Sequence, residues 1–228
     1  MILYQNRKPK VILDPGHGGH DPGAIGIDGL KEKDVVLNVC ELLKVKLEEV
    51  GFEVKLTRTK DVYIKLDGRT ILAQGHDALL SVHCNAFGSD KAQGIETIHG
   101  YGLDGSKALA THVQKSMMKK FPENKDRGVK ASPSPGYPRN LHMVRRAPCP
   151  SALAELEFIT HPEWGKKLSE ASYKESCVVA LYEGIYEYFI EIGSQEITNP
   201  TEQYEAYKAL GYYDEEKGIC KLKEDLWK

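Results

Sequence analysis

The order of apolar patterns along this chain predicts an α/β domain, a mostly parallel twisted sheet with helices on both faces, followed by a short helical C-terminal extension. Three observations carry that expectation. Short β-branched and leucine-rich runs alternate with stretches whose apolar residues recur at helical spacing. Glycine and proline clusters separate the two kinds of segment. At 228 residues the chain suffices for one domain with a real core and a small appendage, which we place at residues 1–193 and 194–228.

Val11-Ile12-Leu13 reads as a short buried strand, and the following Asp14-Pro15-Gly16-His17-Gly18-Gly19 as a tight loop. From Glu32 to Val50, the recurrence of Val35, Val36, Val39, Leu42, Leu43 and Leu47 predicts an amphipathic helix stopped by Gly51. Phe52–Thr57 alternates as a strand, and a second helix is expected over Leu66–Gln74. Residues 78–83 and 94–98 read as strands, and 106–121 as a helix with Leu109, Val113, Met117 and Phe121 on one face. Pro122–Pro138 is rich in proline, glycine and serine and is expected to be a surface loop. Two apolar segments follow, at 141–144 and 152–159, and then a long helical region over 162–191. Beyond Gln195 the chain becomes charged and tyrosine-rich, with a helix start at Asn199-Pro200-Thr201. About thirty residues seldom fold alone, so this extension docks, pairs or stays mobile.

Composition excludes several classes. With 41% hydrophobic and 28% charged residues the chain is a folded globular protein, and a net charge of −2 gives no basic field for nucleic acid. The five cysteines are scattered and never form a CxxC pair, so reduced thiols packed as small apolar residues are expected. No window has the length of a membrane span, and the opening MILYQNRKPK lacks the apolar core of a secretory signal. A monomer is expected.

A catalytic zinc site holds three protein groups, usually histidines plus a carboxylate, and keeps one position open for water. His17 on the glycine loop, Glu32 at a helix start and His83 at a strand end form such a set. Each has a blander reading alone. A loop histidine is usually a surface residue, a glutamate at a helix start suits the dipole, and His83 could be a polar residue tolerated at a strand end.

The motifs decide between these readings. VILDPGHGGHDPGAIG, GLKEKDVVLN, TRTKD, LDGRTILA, LLSVHCNA, GIETI and PSALAELEFITHPE stand in an order that resembles the zinc-dependent N-acetylmuramoyl-L-alanine amidases of phage endolysins and bacterial autolysins, from about Lys10 to Gly193. The resemblance implies one zinc ion on His17, Glu32 and His83, with Glu155 as general base and acid. It implies hydrolysis of the amide between N-acetylmuramic acid and L-alanine in peptidoglycan. Two positions depart from the family pattern: Glu157 stands where glycine is common, and His161 where asparagine is. Residues two apart on a strand share a face, so Glu157 is expected near Glu155. Asn85 and Glu96 are candidates for the cleft wall. Arg58 and Arg69 admit two readings, a carboxylate clamp for the stem peptide or a structural ion pair, and Arg69 is carried forward on the substrate side.

Two other functions fit the same residues: a zinc carboxypeptidase on wall peptides, and a wall-binding protein without catalysis. Lack of a visible signal fits an enzyme made in the cytoplasm and released to the wall by a phage holin or by cell lysis, with a phage lysin favoured.

Overall fold

The computed structural model describes residues 4–5, 7–89, 91–100, 105–134 and 140–196, and the strand pair 213–214 with 219–220. Contacts divide the chain into units 1–189 and 190–228. In the first unit a six-stranded sheet has the order β2-β1-β3-β6-β4-β5. The strands are β1 (Lys10–Pro15), β2 (Glu53–Leu56), β3 (Ala78–Asn85), β4 (Ile95–Gly100), β5 (Asp126–Ser132) and β6 (Ser151–Phe158). β2, β1, β3 and β6 run parallel, and β4 and β5 are parallel to each other. The direction reverses once, where β4 pairs antiparallel with β6. The expected mostly parallel sheet is therefore present, with its two-strand β4–β5 flank turned the other way.

Helix α1 (Glu32–Glu49) connects β1 to β2, and α2 (Leu66–Leu72) connects β2 to β3 on the other side of β1. Right-handed crossovers taken in opposite directions place these helices on opposite faces of the sheet. α1 buries Val35, Val36, Val39, Leu43 and Leu47 of the stripe its spacing predicts, with Cys40 added, while Leu42 lies exposed. On the other face, Ile12 and Leu79 pack with Ala73, Met143, Ala147 and Cys149, and Ile98 and Leu153 pack with Val144. Met143 and Val144 belong to α4 (His142–Arg146). Helix α3 (Ser106–Lys120) lies opposite α4: its Gln114 accepts from Thr97 Oγ1, and Thr97 faces away from Ile98.

The expected loop over 122–138 is corrected in its first half, because Asp126–Ser132 forms β5 at the sheet edge. The expected helical region after Pro162 is two helices, α5 (Pro162–Ser169) and α6 (Ala171–Glu196). α6 runs through the boundary expected at 193/194. His161, where the resemblance leads one to expect asparagine, caps α5: its side chain accepts from the Glu163 and Trp164 amides, and Pro162 fills the first turn. Cys40, Cys84, Cys149 and Cys177 are free and buried, as expected of thiols used for packing. In the second unit Tyr213–Asp214 pairs antiparallel with Ile219–Cys220. The helix start expected at 199–201 lies outside the described residues.

Candidate metal centre

β1 delivers the chain to residues 16–19 at the rim formed by the carboxyl ends of β1, β3 and β6, where ligands collect in open α/β sheets. The Gly16 amide donates to Val82 O at 3.1 Å, tying the loop to β3. His17 sits at φ +60°, a left-handed conformation rare for a side-chain residue, so the surroundings must hold it there. Two buried arginines do so. Arg58 donates to the carbonyls of Pro15 (3.0 Å), Gly16 (2.8 Å) and Lys33 (2.8 Å). Arg69 donates to Asp14 Oδ1 (2.9 Å), to the Pro15 carbonyl (2.7 Å), to Ile64 O (2.9 Å) and to His17 O.

Close approach explains two glycines. A Cβ on Gly16 would lie 2.2 Å from His83 Cε1, and one on Gly23 would lie 2.6 Å from Glu32 Oε2 and 2.7 Å from His17 Cδ2. Any larger residue at either position would enter the space of the candidate ligands.

His17, Glu32 and His83 converge. One ligand atom from each can be chosen so that all lie within 4.8 Å of one another, the span one metal ion requires. Glu32 Oε1 is 3.1 Å from His17 Nε2 and 2.9 Å from His83 Nδ1. The start of α1 does not need this carboxylate, since the Glu32 and Lys33 amides donate to the carbonyls of Ala24 and Pro22. The side chain instead turns toward the histidines and accepts from the Ala24 and Cys84 amides at 2.9 and 3.0 Å. Asp21 Oδ2 lies 2.9 Å from His17 Nδ1 and fixes that ring, a common arrangement behind ligating histidines.

The electrostatics suit a cation. Burial pushes the Glu32 carboxyl up, but hydrogen bonds from His17 and His83 outweigh it and hold the group well below the usual carboxylate range. Burial pulls His83 down, yet the Glu32 hydrogen bond and charge lift it to about 9, and His17 is raised by the same carboxylate. Both imidazoles thus face one buried carboxylate that favours positive charge between them. A divalent ion ligated by neutral imidazoles puts such a charge at the same place.

Glu155 is the direct cross-strand partner of His83, and Glu96 that of Glu155. Partners in register share a face, so His83, Glu155 and Glu96 form a row across β3, β6 and β4. Glu157 does not join it. His83 pairs with Glu155 but Asn85 pairs with Phe158, so a bulge places two residues of β6 opposite Cys84. Glu157 is thereby turned to the other face, fully buried, where it accepts from Asn124 Nδ2 (3.0 Å) and from the Phe158 (2.9 Å) and Gly94 amides. Burial pushes its pKa up despite these donors. The expectation that it would lie near Glu155 is corrected by that bulge.

The expected substrate-side residues divide. Arg69 is corrected: it is 2% exposed, and its nitrogens reach main-chain carbonyls and Asp14. It therefore positions the His17 loop. Replacing Arg69 with methionine is expected to lower the unfolding free energy by about 3–5 kcal/mol, the usual loss when one partner of a buried ion pair is removed. Urea unfolding of the metal-free protein measures it; a loss under ~1 kcal/mol would contradict the clamp. Glu96 lies across from Glu155 in the sheet and Asn85 is bonded to Glu96, and both are buried. Asn85 donates to Glu96 Oε1 (2.9 Å) and accepts from the Ala86 amide, while Glu96 Oε2 accepts from Arg127 Nε (2.6 Å) and from Lys130. Burial would raise the Glu96 carboxyl, and these two cations instead hold it below its ordinary value. Arg127 and Lys130 escape a sequence reading because they fall in the stretch expected as loop.

Comparisons with known proteins identify the family. Residues 11–187 match the family Amidase_3, described as N-acetylmuramoyl-L-alanine amidase. The N-acetylmuramoyl-L-alanine amidase LytC of Bacillus subtilis is 33% identical over 183 residues, covering 78% of this chain and 35% of LytC. The chain thus spans about a third of that relative's length. Among solved structures, an N-acetylmuramoyl-L-alanine amidase from Clostridium difficile superposes with a TM-score of 0.75 at 32% identity, over 82% of this chain and 100% of that one. AmiC2 of Nostoc punctiforme gives 0.73 at 30% identity, over 80% and 97%. With three-quarters of its length under that profile and a histidine–glutamate–histidine cluster at the sheet rim, the chain belongs to the N-acetylmuramoyl-L-alanine amidase family.

Proposed function

We propose that this chain is a zinc-dependent N-acetylmuramoyl-L-alanine amidase. It hydrolyses the amide between the lactyl group of N-acetylmuramic acid and the first L-alanine of the peptidoglycan stem. The observation that carries the reading is the convergence of His17, Glu32 and His83 with Glu155 as the neighbour of His83, in a member of this family. Two imidazoles and one carboxylate are a usual donor set for catalytic zinc. Bound there, zinc would supply Lewis acidity, lowering the pKa of its water towards about 7 and polarising the amide carbonyl.

The protein's own groups do the rest. His17, Glu32 and His83 would hold the ion, and Asp21 orients His17 from its other ring nitrogen. Glu155 takes one proton from the attacking water as the new carbon–oxygen bond forms. It returns that proton to the alanine nitrogen as the carbon–nitrogen bond breaks, because an amide nitrogen leaves poorly unless protonated. The second proton of the water ends on the same nitrogen, so the products are the lactyl carboxylate and the L-alanine ammonium group, and atoms and charge balance.

Digestion of purified walls by the zinc-loaded protein tests this. New L-alanine amino termini without new reducing sugars are expected. A stem shortened from its carboxyl end would assign the chain to the carboxypeptidases, and wall binding without new termini would make it a binding protein.

A further inference from the structure

The row of groups at the sheet rim continues past the catalytic pair. After His83 on β3, Glu155 on β6 and Glu96 on β4 comes β5, where Arg127 and Lys130 both bond Glu96 Oε2. The register explains how Arg127 arrives there. Ile95 pairs with Asp126 but Glu96 pairs with Gly128, so a bulge leaves Arg127 as the extra residue of β5. Bulged residues next to active sites commonly serve to re-aim a side chain.

The burial of this group is graded. The Glu96 side chain is 2% exposed, whereas Arg127 and Lys130 are 29% and 24% exposed. The carboxylate forms the floor and the cations meet solvent. Arg127 uses its Nε–H on Glu96, its guanidinium carbon lies 5.0 Å above the Phe158 ring, and its two terminal nitrogens donate to no described residue. Neutralising Glu96 does not require that outer edge. Four N–H groups in one plane, fixed from behind by an ion pair and from one side by a ring, form the fork that pairs with a carboxylate in bidentate fashion.

We infer that Arg127, braced by Glu96 and flanked by Lys130, receives a free carboxylate of the peptide whose first amide is cut at Glu155. This deepens the amidase reading and rests on it. The distance fits such a peptide. β5 is two strands from β6, or about 10 Å at the usual strand spacing. An extended peptide covers that in about three residues. The carboxylate therefore belongs to the second or third residue of the stem, and an amide at that place lacks the charge that Arg127 reads.

Two pairs of synthetic muramoyl peptides test the inference, one pair with a free or amidated carboxylate at the second residue and the other at the third. Cleavage is followed by the L-alanine amine released. The zinc-loaded wild type is expected to prefer the free acid by about tenfold or more in one pair, the range of a charge-assisted hydrogen bond. Arg127→Met should collapse that preference towards unity mainly through KM, and Arg127→Lys should restore part of it. Equal rates on acid and amide in both pairs, or a preference that persists in the methionine variant, overturns the inference. A second readout needs no variant. Free stem peptides in acid and amide forms should inhibit wild-type wall digestion with the same ratio, and equal inhibition also overturns the inference. Failure of the wild type to cleave any of the four removes the amidase reading itself, a result distinguishable from loss of discrimination alone.

Discussion

Replacing Glu32 with glutamine is expected to remove the metal and, with it, at least ~1000-fold of the activity. That corresponds to about 4 kcal/mol of barrier, within what Lewis-acid stabilisation contributes to hydrolysis. The substitution keeps the size of a side chain that is 4% exposed, so the loop and α1 have no steric reason to move. What changes is the charge that answers two imidazoles and the oxygen that lies 2.9–3.1 Å from both. The new amide nitrogen also faces the Ala24 or Cys84 amide as a second donor. Metal content after dialysis, measured beside the rate of wall digestion, checks the expectation. A glutamine variant with one zinc per chain and undiminished turnover would end the metal assignment. In the wild type, chelation should abolish the same activity and added zinc restore it.

The second large effect is expected at Glu155. Glutamine there should lower kcat by at least ~100-fold, the lower part of the general acid–base range, and leave zinc bound. The two results separate the roles: the Glu32 variant loses ion and rate together, the Glu155 variant the rate alone. If the Glu155 variant works at full speed with its metal in place, the proton shuttle lies elsewhere. Glu157 is not the obvious replacement, because the bulge faces it towards Asn124 on the opposite side of the sheet.

Much of the fold and most of the candidate centre were legible in the residues, and the failures have local causes. β1, α1, β3 and β6 declare themselves because their apolar spacing serves a core on one or both faces. β5 does not, because as an edge strand it is only partly buried, and Asp126-Arg127-Gly128-Val129-Lys130 shows no alternation of apolar and polar residues. His17, Glu32 and His83 were visible through their motifs. Arg69 was misjudged because a sequence does not record which way an arginine on a short helix turns, and here Asp14 and three carbonyls lie on its inner side. Glu157 was misjudged because the two-residue period of a strand is broken by one extra residue in β6, which nothing in Glu155-Leu156-Glu157-Phe158 announces.

The single reversal of strand direction between β6 and β4 divides labour along one edge of the molecule. Had β4 followed the direction of its neighbour, Glu96 and Arg127 would begin at the opposite edge, a strand length or about 17–20 Å away. If Arg127 receives the peptide carboxylate as inferred, substitutions on β5 are expected to change which stem is preferred while His17, Glu32, His83 and Glu155 keep their places on the other half of that edge.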